Sequence, residues 1–241
     1  MHRFYSEEKL NTNTTVFLDK EESHHAIKVL RLHINDEIEL LDGENIYLAK
    51  ITSIEKNAVG ALCIKQLENT APDVQITLYQ GFPKGDKYFT IVQKCTEVGV
   101  NTIVPVLMER SVKKGFQAEK IVDKSKKLAI EACKQCGLNK IPNVKSFHKL
   151  DNMAEALKKH DLLLVAWEEE QETSLLTTLK KNPTAKSIGL IIGPEGGIDP
   201  QEIAFLKQHN AQSIGLGKRI LRTETAGVCT VFTILSHYEN E

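Results

Sequence analysis

The sequence predicts an α/β protein in two parts, a small antiparallel β-sheet or barrel followed by a larger domain of alternating strands and helices. Residues 37–67 alternate, are rich in Ile, Leu and Val, and carry a hairpin signal at Asp42-Gly43. From residue 74 onwards strand patterns alternate with helix patterns, which is typical of a mostly parallel sheet covered on both faces. The polar, proline-containing stretch 68–73 between the two parts is interpreted as a linker.

Hydrophobic periodicity and end signals place the individual elements. In the first part, residues 23–32 have helical spacing, and Ser23 is a candidate N-cap. In the second part, strands are expected at residues 74–81, 102–108, 161–167, 187–193 and 212–217. Helices are expected at residues 86–99, 118–137, 174–181, 200–209 and 223–238.

Composition bounds the class of protein. The chain has 241 residues, of which 41% are apolar and 26% are charged, as in soluble globular proteins. No apolar run is long enough to span a bilayer, and the N-terminus lacks the pattern of a secretory signal. The apolar runs therefore predict no membrane partner. The 5 cysteines form no even disulfide framework, so we expect a reduced, cytoplasmic protein.

The net charge of −1 hides an uneven distribution. Residues 1–72 carry 8 basic and 12 acidic side chains, a balance of −4, whereas residues 73–241 carry 23 and 20, a balance of +3. Within residues 110–149 there are 11 basic and 3 acidic side chains, a balance of +8. This block predicts either a local positive field that attracts nucleic acid or a solvated helix face whose lysines cover the core.

A first glycine-rich turn follows the strand at 187–193, in the stretch "SIGLIIGPEGGID". In open α/β sheets ligands bind at the carboxyl ends of strands, and glycines let a ligand approach the backbone closely. The turn lacks the Lys-Ser/Thr of a phosphate-binding loop, and Glu195 would repel phosphate, so a neutral or cationic ligand is favoured. Asp199, Pro200 and Glu202 resemble the capped start of a helix, and an ordinary strand–turn–helix is the alternative.

A second glycine turn, at Gly215 and Gly217, has the same layout. Three cations and a carboxylate follow it in "KRILRTET", where the final helix should begin with Thr223 or Thr225 as its N-cap. A surface ion pair between Arg222 and Glu224 is the alternative for those two residues. That pair alone explains neither the cluster of donors nor the presence of two similar turns.

The stretches "LIIGPEGGID" and "LGKRILRTETA" closely resemble the SPOUT methyltransferases, and within them the RsmE family, which methylates N3 of a uridine in small-subunit (16S) rRNA. The stretches "MHRFY", "HHAIKVLR", "QKCTEVGVNTIVPV", "ERSV" and "EACKQCG" are similar to that family in the same order. The resemblance covers nearly the whole chain. One departure is Leu138, where the family usually has an arginine soon after this last stretch; Lys140 is expected to substitute for it.

The resemblance implies a PUA-like β-barrel at residues 1–70 that helps to hold RNA, and a SPOUT domain with a deep trefoil knot at 73–241. The knotted domain would hold S-adenosylmethionine through three loops and would form a homodimer. By analogy, the cofactor-binding residues are Ala166, Trp167, Glu168, Ile192, Gly193, Pro194, Glu195, Gly196, Gly197, Leu216, Gly217, Ile220, Leu221, Arg222, Thr223, Thr225 and Ala226.

The implied partner is 16S rRNA within the small ribosomal subunit. Uridine N3 is a poor nucleophile until it loses its proton, so Arg222 is the leading catalytic candidate, as a cation that stabilises the uridine anion. Glu224 is expected to orient Arg222 or the cofactor amine. The residues nominated for RNA contact are Arg3, His24, Lys28, Arg31, Arg110, Lys113, Lys114 and Lys127.

Other functions are weighed against this one. Cys133 and Cys136 are a single pair without a second pair at zinc spacing, so they are expected to be ordinary thiols, and no metal is expected. The alternatives are another SPOUT activity on a ribose 2′-OH or a tRNA, a non-enzymatic RNA-binding module, and a nucleotide-dependent enzyme. The full-length similarity counts against another SPOUT activity, and the intact pair of glycine turns counts against a non-enzymatic module. The absence of a phosphate-binding lysine in the first turn counts against a nucleotide-dependent enzyme.

Overall fold

The computed structural model describes residues 1–56, 58–68, 72–111 and 117–239. The chain divides into two compact units. The first contains Met1–Ala71 together with Ile130–Ile141, and the second contains Pro72–Ala129 and Pro142–Glu241. The first unit therefore includes a later segment of chain, at 130–141, that lies outside the sequence-predicted range 1–70.

The first unit is built on a five-stranded sheet in the order β1-β3-β4-β5-β2, in which only the β1–β3 pair is parallel. The strands are β1 (His2–Tyr5), β2 (Thr15–Phe17), β3 (Glu37–Leu41), β4 (Ile46–Glu55) and β5 (Ala58–Gln66). The predicted hairpin at Asp42-Gly43 is confirmed: Gly43 has φ of 89°, and the Asp42 carboxylate accepts from the N–H groups of Glu44 and Asn45. The predicted antiparallel sheet is therefore correct, and β1 and β2 extend it.

The helix predicted at 23–32 begins earlier than expected. Helix α1 is Lys20–His24, and its N-cap is Asp19, which accepts a hydrogen bond from the N–H of Glu22 at 2.7 Å. A π-helical turn at His25–Val29 continues it. Ser23 is buried inside the helix, so its prediction as the N-cap is wrong.

The second unit contains a wholly parallel sheet in the order β12-β10-β11-β6-β7-β8, with β9 also pairing with β7. The strands are β6 (Gln75–Gly81), β7 (Thr102–Leu107), β8 (Asn143–Val144), β9 (His148–Lys149), β10 (Leu162–Ala166), β11 (Ser187–Ile192) and β12 (Gln212–Ile214). Consecutive side chains of β10, from Leu162 to Val165, are all buried. Because successive side chains of a strand point to opposite faces, both faces of the sheet are covered.

The helices of the second unit lie close to the predicted positions. They are α2 (Lys87–Glu97), α3 (Ala118–Cys136, which ends in the first unit), α4 (Ala154–Leu157), α5 (Leu175–Lys181), α6 (Pro200–Gln208) and α7 (Thr223–Glu239). A 3-10 turn at Leu150–Met153 and α4 occupy a stretch for which the sequence indicates no element. No helix among the described residues is long and apolar enough to cross a membrane.

A partly buried polar chain ties the start of β11 to the middle of β6. The imidazole of His160 lies 2.8 Å from the Tyr79 hydroxyl and 3.0 Å from the Ser187 hydroxyl. Gly189 allows this close packing, since a Cβ there would come within 2.6 Å of the His160 ring. Burial lowers the pKa of His160, with nearby Asp161 acting in the opposite direction, so the neutral imidazole is favoured.

Candidate functional site

A cavity of about 990 Å³ lies in the second unit, beyond the carboxyl ends of β10, β11 and β12. Three segments line it, one after each of these strands. All but one of the residues that the resemblance assigns to the cofactor lie along this cavity, and the exception is Thr225. Gly215, Lys218 and Arg219 of the second glycine-turn stretch and Glu170 after β10 also line it. Lys87, Gln171, Thr173, Ser174 and Ile198 complete the lining, and the sequence did not single these five out as ligand residues.

The first glycine turn connects β11 to α6 in a conformation that side chains would obstruct. A Cβ on Gly193 would approach the Ile198 side chain to 2.7 Å. Gly197 has φ of +74°, and a Cβ there would run into the Glu168 carboxylate. The predicted start of α6 is confirmed: Asp199 and Glu202 form a capping box, and Pro200 occupies the first turn.

Glu195 of this turn is paired with a lysine rather than left as an open negative charge. Its carboxylate accepts from the ammonium of Lys87 at 2.7 Å and from the N–H of Lys84 at 3.1 Å. Burial opposes ionisation of Glu195, but these hydrogen bonds outweigh it and lower its pKa. The negative charge that Glu195 would offer to a cationic ligand is thus offset by the ammonium of Lys87.

Arg110 holds the first glycine turn from a neighbouring loop. Its guanidinium donates to the carbonyl of Gly196 at 3.0 Å and lies 3.4 Å from the Asp199 carboxylate. In the same loop, the N–H of Glu109 donates to Glu202 at 2.9 Å. The sequence nominates Arg110 for RNA contact, whereas its contacts in the structure are with the turn.

The second glycine turn presents bare backbone to the cavity. Gly217 has φ of +103° with open space where a Cβ would lie, and a Cβ on Gly215 would run into the carbonyl of Glu170. Within the described part of the chain, the N–H groups of Leu216, Gly217 and Leu221 donate to no protein acceptor. A strongly polar group that lines a cavity without a protein partner is available to a ligand.

Arg222 and Glu224 are placed differently from each other. Arg222 is exposed on the cavity lining, whereas Glu224 lies in the first turn of α7 and away from the lining. Among the residues that the structure describes, no ion pair joins them, and one carboxylate oxygen of Glu224 is buried without a hydrogen-bond partner. The surface ion pair considered from the sequence is therefore wrong, and so is a direct contact through which Glu224 would orient Arg222.

Thr223, which follows the second glycine turn, is hydrogen-bonded both to the first turn and to Gln80, a residue that the sequence did not single out. The Thr223 hydroxyl donates to the carbonyl of Gly193 at 2.6 Å and accepts from the side-chain amide of Gln80 at 2.9 Å. Gln80 lies next to the last residue of β6 and is 0% exposed. The one sequence signal for it is a polar residue in an otherwise apolar strand end, "TLYQG".

Apart from Arg110, the residues nominated for RNA contact fall into three groups. His24, Lys28 and Arg31 are exposed on the first unit, and Lys127 is exposed on α3 in the second. Lys113 and Lys114 lie outside the described residues. Arg3 is different: it pairs with Glu39 at 2.7 Å, donates to the carbonyl of Leu138 at 2.8 Å, and its side chain is 11% exposed. The prediction that Arg3 contacts RNA is therefore corrected, because its guanidinium is already bonded to groups of the first unit.

Cys133 and Cys136 show the features of ordinary thiols. Burial raises the pKa of Cys133 to about 12, so the reactive thiolate is disfavoured. The Cys136 thiol contacts the carbonyl of Cys133 within the same helix. Across the described residues, no group of three or more His, Cys, Asp or Glu side chains is arranged to hold a metal ion.

The cavity fits a nucleoside-containing, positively charged cofactor such as S-adenosylmethionine. Its volume of about 990 Å³ accommodates a ligand of that size. The unpaired amides of the second turn can read an adenine edge, and the glycines of both turns allow close approach of a sugar. The Glu168 carboxylate on the lining has no protein hydrogen-bond donor in the described chain, so it can face a cation.

Comparisons with known proteins show the family to which the chain is related. Residues 70–235 match the family model of the RNA methyltransferase domain, and residues 18–60 match that of the RNA methyltransferase PUA domain. The ribosomal RNA small subunit methyltransferase E of Bacillus subtilis is 32% identical, over 94% of this chain and 93% of that protein. That of Buchnera aphidicola from Acyrthosiphon pisum is 33% identical, over 95% and 90%.

A solved structure supports the same assignment. The crystal structure of a ribosomal RNA small subunit methyltransferase E from Neisseria gonorrhoeae, bound to S-adenosyl methionine, superimposes with a TM-score of 0.87 at 31% identity. The match covers 98% of this chain and 97% of that one. The fold is thus a mixed α/β fold with a PUA-like domain. The chain belongs to the ribosomal RNA small subunit methyltransferase E family of RNA methyltransferases.

Proposed function

We propose that this chain transfers a methyl group from S-adenosylmethionine to N3 of a uridine in 16S rRNA. The observation that carries the proposal is the cavity beyond β10, β11 and β12, which both glycine turns line and where, within the described residues, amides of the second turn donate to no protein acceptor. The Neisseria gonorrhoeae relative is bound to S-adenosyl methionine, which supports the same cofactor here.

The cofactor would be held mainly by backbone. Leu216, Gly217 and Leu221 offer amides to the adenine, and Gly193–Gly197 allow the ribose to approach. Glu168 is the carboxylate available to a positive charge, since Glu195 is already paired with Lys87. When bound, the cofactor supplies an electrophilic methyl group on a sulfonium.

Arg222 is proposed to promote the reaction electrostatically. Its guanidinium lines the cavity and, in the described residues, is engaged by no carboxylate. A cation that is not already neutralised can stabilise the negative charge that develops on O2 or O4 as the N3 proton leaves. Glu224 is proposed to act indirectly, through its place in the first turn of α7, where a carboxylate interacts favourably with the helix dipole.

RNA contact is proposed for the exposed His24, Lys28 and Arg31 of the first unit and for Lys127 of the second, together with Lys113 and Lys114. Side chains of this kind hold duplex RNA through phosphate and 2′-OH groups, and the target base must leave its stack. The substrate is proposed to be the small ribosomal subunit, and the compartment the cytoplasm.

The same proposal includes the trefoil knot, the domain limits 1–70 and 73–241, and a homodimer. The convergence of loops after three parallel strands around one cavity supports a cofactor domain, and the knot is what the resemblance to SPOUT methyltransferases implies. Three large apolar side chains of the second unit are strongly exposed, which supports an association face: Leu176 at 53%, Ile220 at 90% and Phe232 at 57%. Sedimentation of the purified chain tests the dimer.

The test of function uses small ribosomal subunits from a strain lacking this gene. They are incubated with the protein and methyl-labelled S-adenosylmethionine, and the labelled nucleoside is identified after digestion of the rRNA. We expect N3-methyluridine; label on a ribose or on another base contradicts the proposed specificity. Arg222→Ala is expected to reduce turnover strongly while retaining cofactor binding, and Arg219→Ala, on the same lining, is the matched control.

A further inference from the structure

We propose that Gln80 is a positioning residue that holds the two glycine turns in register through the hydroxyl of Thr223. The inference rests on the proposed function in one respect, that both turns contact the cofactor. The three residues involved are far apart in sequence: Gln80 is the penultimate residue of β6, Gly193 begins the first turn, and Thr223 begins α7 after the second turn. Two hydrogen bonds of 2.9 Å and 2.6 Å join them.

The hydrogen-bond chemistry fixes the direction of this relay. The Thr223 hydroxyl has one proton, and the carbonyl of Gly193 can only accept, so that proton goes to Gly193. Towards Gln80, the hydroxyl must therefore act as an acceptor, and only the NH₂ group of the amide can donate to it. The same NH₂ group donates to the carbonyl of Gly81 at 3.0 Å. The bond from Thr223 to Gly193 thus leaves the Thr223 oxygen as an acceptor, and the Gln80 amide supplies the donor for it.

Burial makes the relay sensitive to the loss of one member. Gln80 is 0% exposed and Thr223 is 6% exposed, so water cannot readily replace a missing partner. The other polar atom of the amide, Oε1, has no hydrogen-bond partner among the residues that the structure describes. It lies beside Gly227 of α7, where an added Cβ would approach it to 3.3 Å. The amide is therefore confined by packing on one side and by two donated bonds on the other.

The relay matters because the two turns line one cavity from different elements. The first turn follows β11, and the second precedes α7. A ligand that contacts both turns is bound tightly only if their separation is set before it arrives. Gln80 does not line the cavity, so it acts on the ligand through Thr223 and Gly193.

The variants Thr223→Val and Gln80→Met each remove one member with little change in size, and Thr223→Ser keeps the hydroxyl. We expect Thr223→Val and Gln80→Met each to raise the Kd for S-adenosylmethionine about tenfold, the size of one buried hydrogen bond left unpaired. Thr223→Ser should stay within about threefold of the wild type. Because the two residues form one network, the double variant should bind about as well as the weaker single variant.

Hydrogen exchange of the cofactor-free protein supplies a second readout. In Gln80→Met we expect faster exchange at 193–199, in the first turn, and at 216–226, in the second turn and the start of α7, although the substitution lies in neither segment. Thr96→Val is the matched control, since Thr96 is also buried and its hydroxyl donates only within α2. It should change neither the Kd nor the exchange of the turns.

Two results would overturn the inference. One is a fold-change in Kd for the double variant that equals the product of the fold-changes for Gln80→Met and Thr223→Val, as for independent sites. The other is faster exchange of 216–226 in Thr223→Val with 193–199 unchanged. If the wild-type chain fails to bind S-adenosylmethionine, the proposed function fails, and the exchange of the two turns still decides whether Gln80 couples them.

Discussion

Replacement of Arg110 distinguishes two roles for an exposed cation beside the candidate site. The sequence favours RNA contact, whereas the structure shows the guanidinium bonded to the Gly196 carbonyl at 3.0 Å and near Asp199 at 3.4 Å. If these contacts hold the first glycine turn, Arg110→Ala should weaken binding of the cofactor. If Arg110 serves RNA instead, the substitution should weaken binding of the RNA and reduce its salt dependence.

The size of the effect follows from these contacts. A hydrogen bond from a charged donor contributes about 1.5–3 kcal/mol, and the side-chain exposure of 43% for Arg110 places this one at the lower end. The ion pair with Asp199 is also partly exposed, so it adds between about 0 and 1 kcal/mol. A total of about 2 kcal/mol corresponds to an increase in Kd of about 30-fold if all of it is lost from cofactor binding. We therefore expect an increase between about 5-fold and 30-fold.

Titration calorimetry with S-adenosylmethionine measures this Kd for the wild type, Arg110→Ala and Arg110→Lys. Lysine keeps the charge but not the planar fork, so Arg110→Lys should recover only part of the affinity. Lys127→Ala is the control, because Lys127 is exposed on α3 and is not among the residues that line the cavity. An unchanged cofactor Kd in Arg110→Ala, together with weaker and less salt-dependent RNA binding, would refute the positioning role.

Three further predictions concern stability and the first turn. Lys134→Met should lower the unfolding free energy by about 3 kcal/mol in urea titrations, because Glu22, 9% exposed and 2.7 Å from Lys134, keeps a buried unpaired charge. Adding Glu22→Gln should restore most of that loss, and an equal loss in both variants would contradict this reasoning. Burial lowers the pKa of His160, so the unfolded chain binds more protons and the unfolding free energy should fall as pH drops below about 6.5. His160→Gln should flatten this dependence, and an unchanged slope between pH ~5 and ~8 would exclude His160 as its source. Gly197→Ala should raise the Kd for S-adenosylmethionine, since φ of +74° disfavours alanine and its Cβ would meet Glu168; unaltered binding in calorimetry would show that the turn adapts.

Much of the fold could be read from local patterns. The alternating run at 37–67 and the strand–helix alternation after residue 74 depend on side-chain periodicity, which tertiary contacts did not override. The start of α6 was also predictable, because Asp199, Pro200 and Glu202 satisfy the helix terminus among themselves. The start of α1 was not, since Asp19 and Ser23 are both good caps and burial of Ser23 decided between them.

The sequence by itself determined where the candidate site would form, because glycine turns at the ends of parallel strands must meet at one edge of the sheet. It could not determine which charges would be free there. Glu195 is neutralised by Lys87, which lies 108 residues away in sequence, while Arg222 beside the same cavity is paired with no carboxylate of the described residues. Only the tertiary structure brings Gln80 to Thr223 across 143 residues. Hydrogen bonds and ion pairs between distant segments depend on the distances between side chains in the folded chain, and no local pattern encodes them.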